Sequence, residues 1–181
     1  MNLTFRTMVM LAVLAWGVGL SPRAFAQDQK PPQTLDLTKL SIQIVNATFV
    51  TKLEGGNGNK FEETKPDKYR GMVVTLKITK PADEELTVTC SDIVLHYRYG
   101  ENSDVAHCYG LSGYTTQQEE DRTMALFSQG WGTSKTGPST TKAGTVFIDV
   151  FYQNLEPDTS DLYIFVAQPV SAPFRTPGWK N

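Results

Sequence analysis

Two histidines are the side chains whose type and spacing come closest to a metal site. His96 and His107 lie in two alternating segments, residues 93–99 and 105–109, that are predicted to pair as a hairpin. The register that collects the apolar side chains on one face puts the two histidines opposite each other on the polar face. Such a pair can bind Cu²⁺ or Zn²⁺, but two ligands are too few for a strong site. We therefore expect solvated histidines and no cofactor, with a weak metal carrier as an alternative.

Cys90 and Cys108 are the only cysteines of the chain. An even pair in an oxidising compartment is typical of a disulfide, which here would close a loop of roughly 17 residues and contribute about 3 kcal/mol. Cys108 is predicted to lie beside Leu95, five residues beyond Cys90, or roughly 16 Å along a straight strand. A bridge therefore requires a bulge or a change of sheet at residues 91–92. Two buried thiols and a metal site remain the alternatives.

No set of residues forms a convincing catalytic group. The segment 110–113 lacks the second glycine of a nucleophile elbow, because Tyr114 stands in its place. His107 and Cys108 are neighbours, so on a strand they point to opposite faces and cannot act together. The acids of residues 119–121 are typical of a solvated turn. The sequence predicts that the protein is not an enzyme.

Aromatic side chains are the better indication of function. Trp131 lies between two glycines and Trp179 lies near the end of the sequence, and neither is expected to be well packed. Phe147 and Phe151 share one face of a predicted strand whose other face is aliphatic. Exposed aromatic rings are common anchors for protein partners and for sugars. These four residues are therefore candidate partner contacts; the alternative is that they fold back onto the domain.

The elements that must position these residues are predicted to be β-strands. Apolar residues alternate with polar ones in several segments, which gives each strand one buried face. Turn-forming residues separate the segments. The pattern predicts an all-β fold, an antiparallel immunoglobulin-like β-sandwich of seven to eight strands. Residues 119–127 fit a helix or a strand equally well. The alternating segments are residues 40–44, 72–79, 86–90, 146–152 and 162–166.

The beginning of the chain has the layout of a secretory signal peptide. Arg6 precedes the apolar run 8–20, and residues 24–26, Ala-Phe-Ala, carry small side chains where signal peptidase reads them. The apolar run is too short to be a typical membrane anchor. We expect cleavage after residue 26 and a mature protein that is exported to the periplasm or the extracellular medium.

The rest of the chain is expected to form one domain. Residues 27–38 are predicted to be a disordered leader, residues 39–168 the sandwich, and residues 169–181 an extended tail. Without residues 1–26 the chain holds 15 basic and 19 acidic residues. This slightly acidic balance does not favour nucleic-acid binding, and no segment of the mature chain is long enough to span a membrane. Asn46 begins a glycosylation sequon, although its strand context disfavours modification.

The strand pattern resembles a known family. Residues 69–79, Tyr-Arg-Gly-Met-Val-Val-Thr-Leu-Lys-Ile-Thr, resemble the second strand of the telokin-like immunoglobulin-fold domains of uncharacterised bacterial exported proteins. Residues 144–152 and 161–166 resemble the final part of those domains, so the resemblance covers residues 40–168. It implies a binding or scaffolding module and supplies no catalytic residue.

Taken together, the sequence predicts an exported, non-catalytic binding module. We expect it to engage a protein or a cell-envelope component through two long loops, residues 54–69 and 128–144. A carbohydrate-binding module that uses Trp131 and nearby tyrosines is the first alternative. A weak metal carrier that uses His96 and His107 is the second.

Overall fold

A computed structural model of the chain describes residues 36–81, 84–119, 122–127, 139–141, 144–166 and 168–180. They belong to the unit Pro31–Asn181. The predicted signal peptide, residues 1–26, and most of the predicted leader lie outside the described residues.

The described residues form eleven β-strands and one short 3-10 turn, Leu37–Lys39. Four of the strands have only two or three residues, which leaves seven longer ones and agrees with the predicted all-β fold. The strands are β1 Ser41–Val50, β2 Lys52–Glu54, β3 Lys60–Glu62, β4 Arg70–Lys80, β5 Val94–Tyr99, β6 Asn102–Ala106, β7 Cys108–Ser112, β8 Met124–Leu126, β9 Gly144–Leu155, β10 Thr159–Val166 and β11 Gln168–Pro169.

Two antiparallel sheets pack against each other as a β-sandwich. The five-stranded sheet has the order β1-β4-β9-β7-β8, and the four-stranded sheet has the order β11-β10-β5-β6. Alternation explains the packing, since every second residue of a strand points to the same face. Leu76 of β4 and Ile148 of β9 are opposite each other and fully buried. Leu95 and Ile164 contribute the facing layer from the four-stranded sheet.

The segment predicted as a long mobile loop, residues 54–69, is in part a folded hairpin. Strands β2 and β3 pair with each other and pack against the outer face of the five-stranded sheet. The side chains of Asn57 and Asn59 each donate a hydrogen bond of 2.7 Å to the carbonyl of Leu126. The prediction failed because a glycine-rich, polar composition was interpreted as a loop without strands. These side chains instead satisfy the backbone of β8.

A glycine marks how closely this hairpin approaches the sheet. A Cβ atom on Gly71 would lie 2.6 Å from the ring of Phe151 and 2.8 Å from the ring of Phe61. Those two rings meet edge to face with centroids 4.8 Å apart. Only glycine leaves room for both rings at this point of β4.

Several predicted boundaries change. Leu37, at the end of the predicted leader, is buried in the core, and Asp36 caps the 3-10 turn. Residues 86–90 bury alternate side chains as predicted, yet they form isolated bridges, as between Leu86 and Thr140, and no extended strand. Residues 124–126 of the ambiguous segment form a strand. The predicted tail does not leave the domain, because Phe174 bridges to Leu162 of β10.

The two cysteines form the predicted disulfide, Cys90–Cys108. A tight turn makes it possible: the amide of Asp92 donates to the carbonyl of Thr89 at 3.0 Å and turns the chain just before β5. His107 separates β6 of one sheet from β7 of the other. The bridge therefore joins the entrance of the four-stranded sheet to the beginning of β7 in the five-stranded sheet.

Candidate functional site

The outer face of the four-stranded sheet carries a cleft lined by aromatic rings. Because Leu95 and Ile164 point into the core, their neighbours along β5 and β10 point outward. Tyr163 lies directly opposite His96 in the ladder. The rings of His96 and Phe165 are stacked, with centroids 3.8 Å apart and an interplanar angle of 24°. We call the space around His96, Tyr163 and Phe165 the aromatic cleft; its volume is about 470 Å³.

Polar groups surround the aromatic cleft. Arg98, Glu101 and Ser103 are exposed and line its rim. Ser171 lines it as well, and its hydroxyl accepts a hydrogen bond of 2.9 Å from the amide of Ile164. An aromatic floor with a few polar groups at its edge is the composition of many ligand sites. The cleft can therefore hold an apolar surface and hydrogen-bond the groups around it.

The charge state of His96 fits this environment. Burial lowers the pKa of His96 below its usual value, because a charged imidazolium loses hydration there. The ring is therefore neutral at pH 7. A neutral imidazole has one donor and one acceptor nitrogen, so it can bind a ligand group of either kind while it stacks on Phe165.

The predicted opposition of the two histidines is wrong. Strand β6 is shifted by two residues from the predicted register, so His96 lies opposite Val105. The shift follows from a tight turn at residues 100–101, where Gly100 adopts a φ of 55°. His107 lines a separate cavity with Tyr97 and other residues. Within the described ranges no cluster of three or more His, Cys, Asp or Glu side chains is placed to hold a metal ion.

The cavity beside His107 is organised by a tyrosine and a carboxylate. The hydroxyl of Tyr97 donates a hydrogen bond of 2.6 Å to Glu156. Burial, and then the contact with Glu156, raise the pKa of Tyr97 far above its usual value. The phenol therefore keeps its proton and fixes Glu156 at the beginning of the turn between β9 and β10.

A cavity of about 620 Å³ lies on the outer face of the five-stranded sheet and is lined by a buried ion pair. Arg122 donates to the two carboxylate oxygens of Asp149 at 2.8 and 2.7 Å, and the two side chains are 3% and 9% exposed. Thr75 donates a further hydrogen bond of 2.6 Å to the same carboxylate. Because these charges satisfy each other, they offer little to a charged ligand.

The residues tested for nucleophilic chemistry serve the fold. Ser112 is fully buried, and its hydroxyl donates to the carbonyl of Gly113 and accepts from the amide of Asp149. Cys108 is held in the disulfide. Glu119 is exposed, as expected for a solvated acid, while Glu120 and Asp121 lie outside the described residues. The prediction that the protein is not an enzyme stays a prediction.

The four aromatic candidates from the sequence end in different places. Phe151 is fully buried beneath the hairpin, so a role as a surface contact is wrong. Phe147 is half-buried on the same outer face and remains a candidate. Trp179 is half-buried against the guanidinium of Arg70, 4.2 Å from the ring centroid, which corrects the expectation of loose packing. Its role as a partner contact stays a prediction. Trp131 and most of the loop 128–144 lie outside the described residues.

Sequence reasoning missed Tyr163 and Phe165. A signal was present, because every residue from 162 to 166 is apolar or aromatic. In a strand with one solvent-exposed face, apolar side chains alternate with polar ones. An uninterrupted run of apolar residues therefore indicates that the second face is also apolar. In β9 the apolar run 146–152 is interrupted by Asp149 and its second face is in part covered by the chain itself, whereas the run in β10 lines the aromatic cleft.

Comparison of the chain with protein-family models, curated proteins and solved structures finds no match. Among the described residues no helix is long and apolar enough to cross a membrane.

Proposed function

We propose that this protein is an exported, non-catalytic binding module with an immunoglobulin-like sandwich, and that it engages a protein or cell-envelope partner through the aromatic cleft. The observation that carries the proposal is the stacked pair of His96 and Phe165 beside Tyr163, which line a cleft on the outer face of the four-stranded sheet and are not fully buried. The cleft replaces the loop 54–69 as the binding surface, since part of that loop is folded onto the other sheet.

Two observations support export. The disulfide Cys90–Cys108 is typical of a protein that matures in an oxidising compartment. Residues 1–26 have the charge and hydropathy pattern of a signal peptide. The two observations are independent, because one depends on chemistry within the domain and the other on the beginning of the chain.

The strand order supports the immunoglobulin-like assignment. Immunoglobulin domains place strands A-B-E-D in one sheet and G-F-C-C′ in the other. With β1 as A, β4 as B and β5 as C, the two sheets here follow the same orders, and β8 extends the first sheet. The disulfide differs from the immunoglobulin one, because it joins the turn before β5 to β7 rather than the second strand to the sixth.

The composition of the cleft supports binding by a partner with an apolar feature. Rigid aromatic side chains lose little conformational entropy on binding and bury a large area. Tyr163 and Phe165 are held by the ladder of β5 and β10, so the surface is formed before a ligand arrives. Arg98 and Glu101 at the rim can select a partner by its charges.

The test is co-sedimentation of the purified protein with envelopes isolated from the producing cells. We expect a variant with Tyr163→Ser and Phe165→Ser to lose binding at least ~10-fold, since truncating central aromatic residues usually costs more than 1.4 kcal/mol. The matched control is Phe147→Ser, which truncates a half-buried ring on the outer face of the other sheet. Loss of binding in the control alone would transfer the function to that face. Equal binding by all three proteins would reject the proposal.

A carbohydrate ligand is the second candidate, and a specific observation favours it. The rings of His96 and Phe165 are stacked face to face and line the cleft together with Tyr163, and Arg98, Glu101 and Ser103 border it. A pyranose ring has an apolar face that packs on an aromatic side chain and hydroxyl groups that hydrogen-bond polar groups such as those at the border. Titration with soluble envelope glycans should then perturb the NMR signals of the cleft residues. Envelope binding that persists when soluble glycans are in excess would favour a protein partner.

A further inference from the structure

The sandwich has four sheet edges, and β8 shows how one of them is closed. Strand β8 is the last strand of the five-stranded sheet, yet its outer backbone groups have partners. The amide of Gly56 donates to the carbonyl of Met124 at 2.8 Å, and Asn57 bonds both the amide and the carbonyl of Leu126. An exposed edge invites another strand to pair with it, so this turn acts as a cover.

The edges of the four-stranded sheet are also protected. In β6 the amide of Val105 donates a hydrogen bond of 2.7 Å to the carboxylate of the preceding residue, Asp104. This contact occupies a backbone donor and places a negative charge at the edge. At the other side β11 has only two residues, and Pro169 has no amide hydrogen to donate.

Strand β1 is the exception among the four edges. It is ten residues long, carries no charged side chain and contains several β-branched residues. Within the described part of the chain it pairs with β4 alone, and none of its backbone groups bonds to any other segment. One irregularity, between Ile44 and Asn46, interrupts the ladder. The regular part after it, Asn46–Val50, is an open and neutral template for a further strand.

We propose that β1 pairs with β1 of a second copy of this chain, antiparallel and about a twofold axis at Thr48, so that the two five-stranded sheets become continuous. A strand of this kind is complementary to itself, because antiparallel pairing about a twofold axis makes both partners equivalent. Thr48 would face Thr48 of the partner copy, a favourable cross-strand pair. This inference is independent of the proposed function, because it concerns the opposite sheet.

Side chains on both faces agree with this register. Ala47 and Phe49 are half-buried against the core. In the dimer Ala47 of one copy would lie opposite Phe49 of the other copy. This pairing would cover Phe49 at the edge of the sandwich. The free stretch of the edge ends at Val50, because Thr51 accepts a hydrogen bond from the amide of Glu63 and Lys52 pairs with Glu62 of β3. The stretch Asn46–Val50 is centred on Thr48, which places the twofold axis there.

The experiment is sedimentation velocity of the purified protein over a range of concentrations, with charged variants at the axis. We expect a reversible dimer. Thr48→Lys and Thr48→Glu each place like charges against each other across the twofold axis, and each should weaken the dimer at least ~10-fold. Thr48 is exposed, so neither change disturbs the core. An equimolar mixture of the two variants should restore dimers, since a lysine then faces a glutamate.

Asn102→Lys is the matched control, because it adds a lysine to the protected edge strand β6. It should dimerise as the unchanged protein does. A protein that is monomeric up to millimolar concentration would overturn the proposal. It would equally be overturned by variants at residue 48 that dimerise normally, or by a mixture that stays monomeric.

Discussion

The two outer faces of the sandwich differ in what covers them. The part of the outer face of the five-stranded sheet around Phe151 is covered by the hairpin of β2 and β3, and Phe151 beneath it is completely buried. On the outer face of the four-stranded sheet no hairpin of the described residues packs over Phe165 and Tyr163, and both side chains are half-buried rather than fully buried. Both faces bear aromatic residues, so aromatic content alone does not distinguish a second core from a binding surface.

The comparison shows that the cover, rather than the strand, decides the role of an outer face. Strand β9 buries Asp149 and Phe151 because the chain places Arg122 and the hairpin over them. Strand β10 presents equally apolar side chains and leaves them accessible. An apolar patch that a protein leaves uncovered is often a place of interaction.

The largest loss of stability is expected when a buried ring on the covered face is removed. Phe151→Ala removes a ring that is fully buried against Phe61, and it should lower the free energy of unfolding by about 4 kcal/mol. Urea unfolding monitored by circular dichroism measures this change. The matched substitution on the other face, Phe165→Ala, should cost about 1 kcal/mol, because that ring is only partly buried. Equal losses would contradict the distinction between the two faces.

A smaller loss is expected from the ion pair on the covered face. Asp149→Ala leaves the guanidinium of Arg122 buried without its partner and should destabilise the protein by about 3 kcal/mol. Changing Asp149 and Arg122 together to leucines should recover most of that loss, because no uncompensated charge then remains. Unfolding free energies of the single and double variants test this. A double variant as unstable as the single one would show that the pair is not isolated from solvent.

Much of the fold follows from period-two alternation. It identified the buried faces of β4, β9 and β10 and correctly predicted that Leu95 and Cys108 face the core, although Cys108 belongs to β7 of the other sheet and not to the hairpin. It failed for residues 86–90, where alternate burial occurs without a ladder. Alternation reports which side chains are buried, and it does not report whether a neighbouring strand supplies hydrogen bonds.

The candidate site was much less predictable. The His96–His107 pairing depended on a turn length, and a register shift of two residues keeps each side chain on its face while changing its neighbour. The hairpin of β2 and β3 depends on amide side chains that bond a distant backbone, as Asn57 does with Leu126. Such contacts join positions far apart in sequence and leave no local pattern.

The smallest effect on stability is expected from the protonation of His96 in the aromatic cleft. Because the folded pKa of His96 lies below its unfolded value, its contribution to stability is present above about pH 6.5 and is lost as the pH falls through the folded pKa. His96→Phe keeps a ring stacked on Phe165 and should remove this part of the pH dependence. Thermal unfolding of both proteins between pH 5 and pH 8 provides the test. Identical pH profiles would show that His96 is fully solvated.

Hydroxyl-radical footprinting of the protein, free and bound to isolated cell envelopes, tests the binding role of the open face most directly. We predict that Tyr163 and Phe165 are oxidised in the free protein and protected in the bound protein, whereas Phe151 is unreactive in both. Protection elsewhere, with Tyr163 and Phe165 oxidised equally in both samples, would contradict the account.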